Sequence, residues 1–415
     1  MSRIAEVVVP ARLGRSFRWL LASSWTSNLG DGIALAAGPL LVASLTRDAF
    51  LVALAATVQW LPPLLFGLVA GALTDRLDRK LIVVTVDAAR AVVLAVLTLA
   101  VATDRVSIVA VLAALFVLAT AEVFADNSSQ TMVPALVARE DLAVANSRLQ
   151  TGFITVNQLA GPPLGAALFT VAAGWALGVQ AVVVALGAVL VTRVVLPARE
   201  PGTGPRPALR HDIVEGLRWA VAHPAVRTLV LTITIFNVTF GAAWSVLVLY
   251  ATQRLGLGEI GFGLVTTVGA VGGLAGVLVY GWITQRVSLG SIMRIGLVIE
   301  TLTHLVLALT TSPWIALPVF FVFGAHAFVW GTTSIAVRQR AVPLALQGRV
   351  GSVNQVGVFG GLVVGSAIGG VLAQHAGVTA PFWFAFAGSA VFVALIWRSL
   401  RHVAHADEEQ VPATA

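Results

Sequence analysis

AFLVALAATVQWLPPLLFGLVAGALTDRLDRKLIVVTVDAARAVVLAVLTLAVAT, residues 49–103, consists of two apolar runs, 49–73 and 81–103, joined by a short loop that gathers Asp75, Arg76, Asp78, Arg79 and Lys80. Each run exceeds the roughly 20 apolar residues an α-helix needs to cross the hydrocarbon core of a bilayer. Neither shows the alternation of a membrane barrel strand. Backbone amides in lipid have no water to bond, so runs of this kind pair them within helices. The pattern extends in both directions: the 415 residues are 58% hydrophobic and 11% charged, with mean hydropathy +0.92, against roughly 25% charged residues in an ordinary soluble domain. Apolar windows and their breaks predict spans at 17–45, 49–73, 81–103, 106–130, 147–172, 175–196, 228–252, 260–284, 290–311, 314–337, 350–373 and 378–399. The fold class that follows is an all-α polytopic membrane protein of about twelve transmembrane helices.

An even number of spans puts both chain ends on one side, and the basic residues choose which. Of the 26 Lys and Arg, 22 fall in segments on the N-terminal side, three (Arg47, Arg105 and Arg254) on the other, and Arg90 lies within a span. Cytoplasmic loops carry the excess of Lys and Arg, which predicts a multi-pass protein of the cell inner membrane with both termini cytoplasmic. The net charge of +7 and pI of 11.2 do not signal nucleic acid, because the cations stand singly between apolar runs, without interleaved aromatics. The absence of cysteine removes disulfides, thiolate metal sites and cysteine nucleophiles. Arg12, Arg15 and Arg18 ahead of the first apolar run imitate a signal peptide, but that run continues to Leu45, too long for one.

The longest polar stretch opens with the Pro- and Gly-rich PAREPGTGPRP and continues into HDIVEGLRWAVAH, where Ile213, Val214, Leu217 and Val221 share one helical face. It divides the chain into a six-helix bundle (1–196), a cytoplasmic central loop with a short amphipathic surface helix (197–227), a second six-helix bundle (228–399) and a cytoplasmic tail (400–415). A plain linker is the alternative reading of the loop. The halves echo each other. GALTDRLDRK (71–80) aligns with GWITQRVSLG (281–290) through Gly71/Gly281, Thr74/Thr284 and Arg76/Arg286 at an offset of 210, and Gly161/Gly165 align with Gly365/Gly369 at 204. Two pseudo-symmetric halves are therefore expected. Glycines spaced for close helix approach stand at Gly67/Gly71, Gly161/Gly165, Gly269/Gly273, Gly272/Gly276 and Gly357/Gly361/Gly365/Gly369. They fall in the second and fifth spans of each half, which predicts a smooth seam between halves that rock; ordinary tight packing is the alternative.

The loop GALTDRLDRK resembles the signature between the second and third helices of the major facilitator superfamily, G-x-L-A-D-R-x-G-R-K. Gly71, Leu73, Asp75, Arg76, Arg79 and Lys80 match, whereas Thr74 replaces the alanine and Asp78 the second glycine. NLGDGIALAAGPLLV (28–42), AEVFADNSSQTMVPALVAREDLAVANSRLQ (121–150) and AGPPLGAAL (160–168) are similar to the drug:proton antiporter branch that includes macrolide and enterobactin exporters. The resemblance implies the major facilitator fold and secondary active transport by alternating access. Gly161, Pro162 and Gly165 resemble the antiporter motif of the fifth helix, which implies export, although Ala166 stands where that motif has a second glycine. The fourth span lacks the arginine that many drug antiporters carry there and offers Glu122 and Asp126. Asp75 stands where a carboxylate can cap a neighbouring helix N-terminus, and the resemblance implies that this helix is the eleventh span. It also implies a pair between Arg79 and Asp126. Gly71, Asp75, Arg76, Arg79 and Asp126 thus form the expected conformational latch, favouring an outward-facing state.

Ionisable groups at membrane depth are costly and are functional candidates by default. Asp31 in the first span, Arg90 in the third and Glu122 in the fourth are the proton-coupling candidates. For Asp31 the alternative is a structural hydrogen bond to neighbours such as Asn28. Arg90 either pairs with Glu122 or Asp31, snorkels to the cytoplasm, or pairs locally with Asp87. Glu300 and His304 are read as a structural pair, with a proton relay as the alternative, and His326 as a satisfied histidine. Trp25, Asn28, Gln59, Asn157, Gln158, Asn237, Trp244 and Trp330 are substrate-cavity candidates among largely apolar surroundings. The reading is a monomeric, proton-coupled exporter of an amphipathic small molecule (drug, antibiotic or siderophore-like), with the lipid bilayer and protons as its other partners. A facilitator or importer of a metabolite is the alternative. A non-transporting sensor ranks lower, since the acidic tail offers no output domain. No His-Glu-x-x-His, Gly-x-Ser-x-Gly or phosphate-binding Gly-x-x-x-x-Gly-Lys occurs, so no enzyme, catalytic residue, metal ligand set or cofactor is expected.

Overall fold

The computed structural model describes residues 10–74, 77–197, 209–398 and 400, and among these it contains no β-strand. In chain order the helices are α1 Gly14–Leu45, α2 Ala49–Thr74, α3 Arg79–Ala102, α4 Ile108–Leu136, α5 Leu142–Gly152, α6 Gly161–Val171, α7 Ala173–Val191, α8 Leu209–Ala222, α9 Pro224–Trp244, α10 Glu259–Thr284, α11 Leu289–Leu309, α12 Pro313–Ala341, α13 Gln347–Ala376 and α14 Ala380–Ile396. Among the described residues ten helices are long and apolar enough to cross a membrane.

Two predicted spans are not long α-helices. The twelfth is the 17-residue α14. The fifth is α5 and α6 joined by a π-helical segment, Phe153–Ala160, and its cause lies in the sequence just beyond. Pro162 and Pro163 have no N–H, so the carbonyls of Gln158 and Leu159 lose their donors, and the proline rings crowd the preceding turn. A wider π turn accommodates that local conflict. The Leu159 carbonyl regains a partner in the Thr267 hydroxyl, 3.3 Å away. The seventh predicted span also breaks: after α9 the chain turns, re-forms a helical turn at Leu247–Leu249 and ends in a π turn, Tyr250–Arg254.

Helix ends are satisfied by nearby side chains. Asp78, which replaces a glycine of the loop signature, is the N-cap of α3 and accepts from the amides of Lys80 (2.9 Å) and Leu81 (3.2 Å). Arg254 donates to the final carbonyls of α11 and its cap, Leu309 and Thr310, at 3.2 Å each.

The chain divides into two compact units. Met1–Arg47, Val58–Gly202 and Gly258–Thr267 form the first; Asp48–Thr57, Thr203–Leu257 and Val268–Ala415 form the second. In the first unit α1 packs on α6 and α7, and α3 packs on α4 and α7. In the second, α9 packs on α13 and α14, and α11 packs on α12 and α14. Counting by span, each unit repeats the contacts of first with fifth, first with sixth, third with fourth and third with sixth. The duplication read from scattered glycines is thus a duplication of packing.

The glycines themselves work differently from the predicted seam. Gly161 lies against Gly32 and Gly165 against Ile33, both on α1 of the same unit. Gly361, Gly365 and Gly369 lie against the α9 backbone at Thr234, Val238 and Ala242, again within one unit. Gly272 and Gly276 of α10 meet Phe321 and Ala325 of α12, while Gly67 and Gly71 face open space. Small residues let backbones approach where no side chain fits, and here that need is greatest inside each bundle. The first turns of α2, which count with the second unit, hold to α13 through Thr57 Oγ–Ser366 Oγ (2.8 Å) and Ala49 N–H to Gln374 Oε1 (2.9 Å).

α8 packs on α13. Glu215 pairs with Arg349 at 2.8 Å, and Gly216 sits against the Arg349 backbone. Val214, Leu217 and Val221 are exposed; the Ile213 side chain and the tail beyond residue 400 lie outside the described residues.

Candidate functional site

A charged network occupies the interior of the first unit. Arg90 on α3 is 3% exposed, so it does not snorkel. One guanidinium nitrogen donates to Asp87 Oδ1 at 3.0 Å, one turn back on the same helix. The other donates to Asp31 Oδ1 on α1. The two arrangements that the sequence offers for Arg90 as alternatives, local and cross-helix, therefore coexist. Glu122 and Asp126, one turn apart on α4, lie within electrostatic range of Arg90 and Asp31, Glu122 half-buried and Asp126 exposed. Four carboxyl groups thus surround one permanently charged guanidinium. With every acid ionised the cluster carries three negative charges in excess, which is costly at membrane depth. Protons or a cationic ligand lower that cost.

Local structure fixes the network. Gly32, next to Asp31, abuts the backbone of Asn157 and Gly161, so α1 lies directly on the π segment at the level of the acid. Asn28 turns away from Asp31 and donates to the Ser24 carbonyl at 2.8 Å, so it does not supply the predicted structural bond. Asn157 is buried and accepts from Gln158 at 2.5 Å. Trp25 Nε1 donates to the Arg148 carbonyl at 3.1 Å, tying α1 to α5. Gln59 lies half-buried on α2. Three further cavity candidates belong to the second unit: Asn237 donates back to the Ile233 carbonyl at 2.7 Å, Trp244 stacks on Phe240 at 4.4 Å, and Trp330 packs among buried residues of α9 and α11.

Of the expected latch, Asp75 and Arg76 lie outside the described residues. Arg79, expected to pair with Asp126, donates instead to the Thr131 carbonyl at 2.7 Å. That oxygen lies beyond Asp126 toward the end of α4, where helix-end carbonyls attract cations. Pro162 faces Gly263 of α10, whose first turns count with the first unit. The sequence reading offered Asp87 as a local partner of Arg90, and the structure forms that pair. The position of Asp87 three residues before an intramembrane arginine was the available signal.

Repeated helical bundles of membrane-spanning length with a guanidinium–carboxylate network inside define a multi-pass membrane transporter. A family model described as a transmembrane secretion effector matches residues 9–414, and the chain belongs to that family of the major facilitator superfamily. It is 31% identical over 389 residues to the multidrug efflux pump Tap of Mycolicibacterium fortuitum, covering 88% of this chain and 90% of that protein. Its fold is similar to a bacterial homologue of the iron transporter ferroportin in an inward-facing state, with TM-score 0.73, 17% identity and coverage of 93% of this chain and 98% of the other. It is also similar to the nucleoside transporter NupG, with TM-score 0.70, 14% identity and coverage of 94% and 99%. At those identities the two structures speak for the fold alone.

Proposed function

We propose that the protein exports an amphipathic small molecule across the cell inner membrane, driven by protons through alternating access. The observation that carries this reading is the Asp31–Arg90–Asp87 network around the buried Arg90, with Glu122 and Asp126 close by. Its surplus of acids is a store for protons, and exchange of a proton for substrate would change the charge that each conformation has to bury. Export as the direction is supported by the multidrug efflux relative and by the Gly161-Pro162-Pro163-Leu164-Gly165 segment of the fifth span. Asp31 and Glu122 are assigned the proton exchange, and Arg90 holds Asp31 in place. Gly71, Asp75, Arg76, Arg79 and Asp126 are proposed to act as a latch at the cytoplasmic end of the first half. Both termini are placed in the cytoplasm, and the protein acts as a monomer.

The test is a toxicity panel in an efflux-deficient bacterial host expressing wild type or Asp31→Asn, with and without a protonophore. Resistance to at least one compound, lost both in the variant and on dissipating the gradient, is expected. Resistance that survives the protonophore would refute proton coupling, and accumulation of the compound by the wild type would reverse the direction.

A further inference from the structure

The second unit holds a polar cluster of its own. Glu300 on α11 pairs with His326 on α12, Oε2 to Nε2 at 3.4 Å. His304, one turn beyond Glu300, uses Nδ1 on the Glu300 backbone carbonyl at 2.8 Å; the side-chain pair that the i,i+4 spacing suggests is replaced by a pair between helices. Aromatic rings complete a closed circuit. Trp244 of α9 lies 5.9 Å from His304 and 4.6 Å from Phe323, and Phe323 lies 5.9 Å from His326. His304 Nε2, both ring nitrogens of His326 and Trp330 Nε1 are buried without a hydrogen-bond partner among the described residues, so His326 is not the satisfied histidine expected from sequence and its 3.4 Å contact with Glu300 is an ion-pair approach that a proton would close into a hydrogen bond.

The internal repeat says what this cluster corresponds to. The offset of 210 that aligns Gly71 with Gly281 carries Arg90 onto Glu300, and the offset of 204 that aligns Gly161 with Gly365 carries Glu122 onto His326. α3 packs on α4 as α11 packs on α12. Each unit therefore places one basic and one acidic side chain at this pair of positions, with the signs exchanged. In the first unit the base is a guanidinium that stays charged. In the second it is an imidazole, the side chain whose charge changes near physiological pH.

We infer that Glu300 and His326 form a second proton-binding site, loaded when one proton is shared between carboxylate and imidazole and empty when it has left to water. The loaded pair is neutral overall, whereas the empty pair leaves a net negative charge inside the bundle. A proton is a cation that needs no cavity to hold it. Glu300, at 13% side-chain exposure against 3% for His326, is the less enclosed member of the pair. The surrounding elements add few other charges. α11 contributes His304 and, nearer its start, Arg294, whose guanidinium lies over Trp397 at 5.5 Å. α12 contributes Arg338 and Arg340 in its last turn, and α9 has only Arg227 in its first turn. α10, which meets α12 at Phe321 and Ala325, brings Tyr280, close to Thr333 (3.4 Å), with Glu259 in its first turn. α14 has no titratable residue between Ala380 and Ile396. Glu300 is thus the acid that faces His326.

The inference deepens the proposed function and depends on it only for what the proton is used for. The test is NMR of the purified protein labelled at its seven histidines, without substrate. The His326 signal is identified by its loss in His326→Asn and again in His326→Gln, each checked for a single species by size exclusion. Its protonation is expected to follow pH, and Glu300→Gln is expected to alter that response, whereas His375→Asn, on the exposed end of α13, leaves it unchanged. A His326 signal fixed in one protonation state, or one indifferent to Glu300→Gln, overturns the site. Because no transport is measured, loss of this site alongside protonophore-sensitive export would leave the proposed function standing, and an intact titration alongside uncoupled export would leave the site standing.

Discussion

Removing the charge of Asp31 should destabilise the wild-type protein and stabilise the Arg90→Gln variant. In the wild type Asp31 and Asp87 share one guanidinium. Asp31→Asn keeps an oxygen facing Arg90, and Arg90 keeps Asp87 at 3.0 Å. The loss is then a charge-assisted hydrogen bond weakened to a neutral one, about 1–1.5 kcal/mol. Arg90→Gln is more severe, because the buried Asp87 and the partly buried Asp31 both lose their counter-charge, and breaking a buried pair from one side costs about 3–5 kcal/mol. In that background Asp31 is a liability, so Asp31→Asn removes an uncompensated charge and recovers part of the loss. The double variant should be at least as stable as Arg90→Gln alone, with a coupling of about 1–3 kcal/mol between the sites. The assay is thermal unfolding of the four purified proteins in one detergent at neutral pH, read as the order of the midpoints. If Asp31→Asn lowers the midpoint of Arg90→Gln by as much as it lowers that of the wild type, the two residues are independent and the network reasoning fails.

Backbone contact predicts which glycines tolerate a methyl group. Gly165→Ala and Gly365→Ala should each cost at least about 1–3 kcal/mol, because the new Cβ meets the backbone of Ile33 or Val238, whereas Gly67→Ala faces open space and should leave the unfolding midpoint within about 0.5 kcal/mol of wild type; equal effects at all three would refute the packing. Thr267→Val should cost about 1–3 kcal/mol by leaving the Leu159 carbonyl unpaired. The same change should be nearly neutral in a Pro163→Ala background, where a restored N–H can serve that carbonyl, and a full cost in both backgrounds would show that the prolines do not set the π segment.

The helical class and most spans were legible because the property that makes them, a run of apolar residues long enough for the bilayer, is local and additive along the chain. The π segment was encoded as locally, in Pro162 and Pro163, but hydropathy windows count a proline's carbons without noticing its missing N–H. Helix partners were less legible. A glycine pair announces that some backbone will come close, yet Gly161 and Gly165 carry nothing that names α1 as the neighbour; that choice belongs to the whole bundle. The ionised groups show the same division. Depth alone marked Asp31, Arg90 and Glu122 as residues that need partners, since an isolated charge in lipid is prohibitive, but which acid reaches Arg90 depends on side-chain reach and on how closely α1 approaches α3. The repeat narrows that choice. The loop offset of 210 sets Arg90 opposite Glu300, and the fifth-span offset of 204 sets Glu122 opposite His326, the pair that the structure brings together. Internal duplication lets one chain carry its own comparison, and in this protein it picked out a pair that the i,i+4 spacing of Glu300 and His304 had hidden.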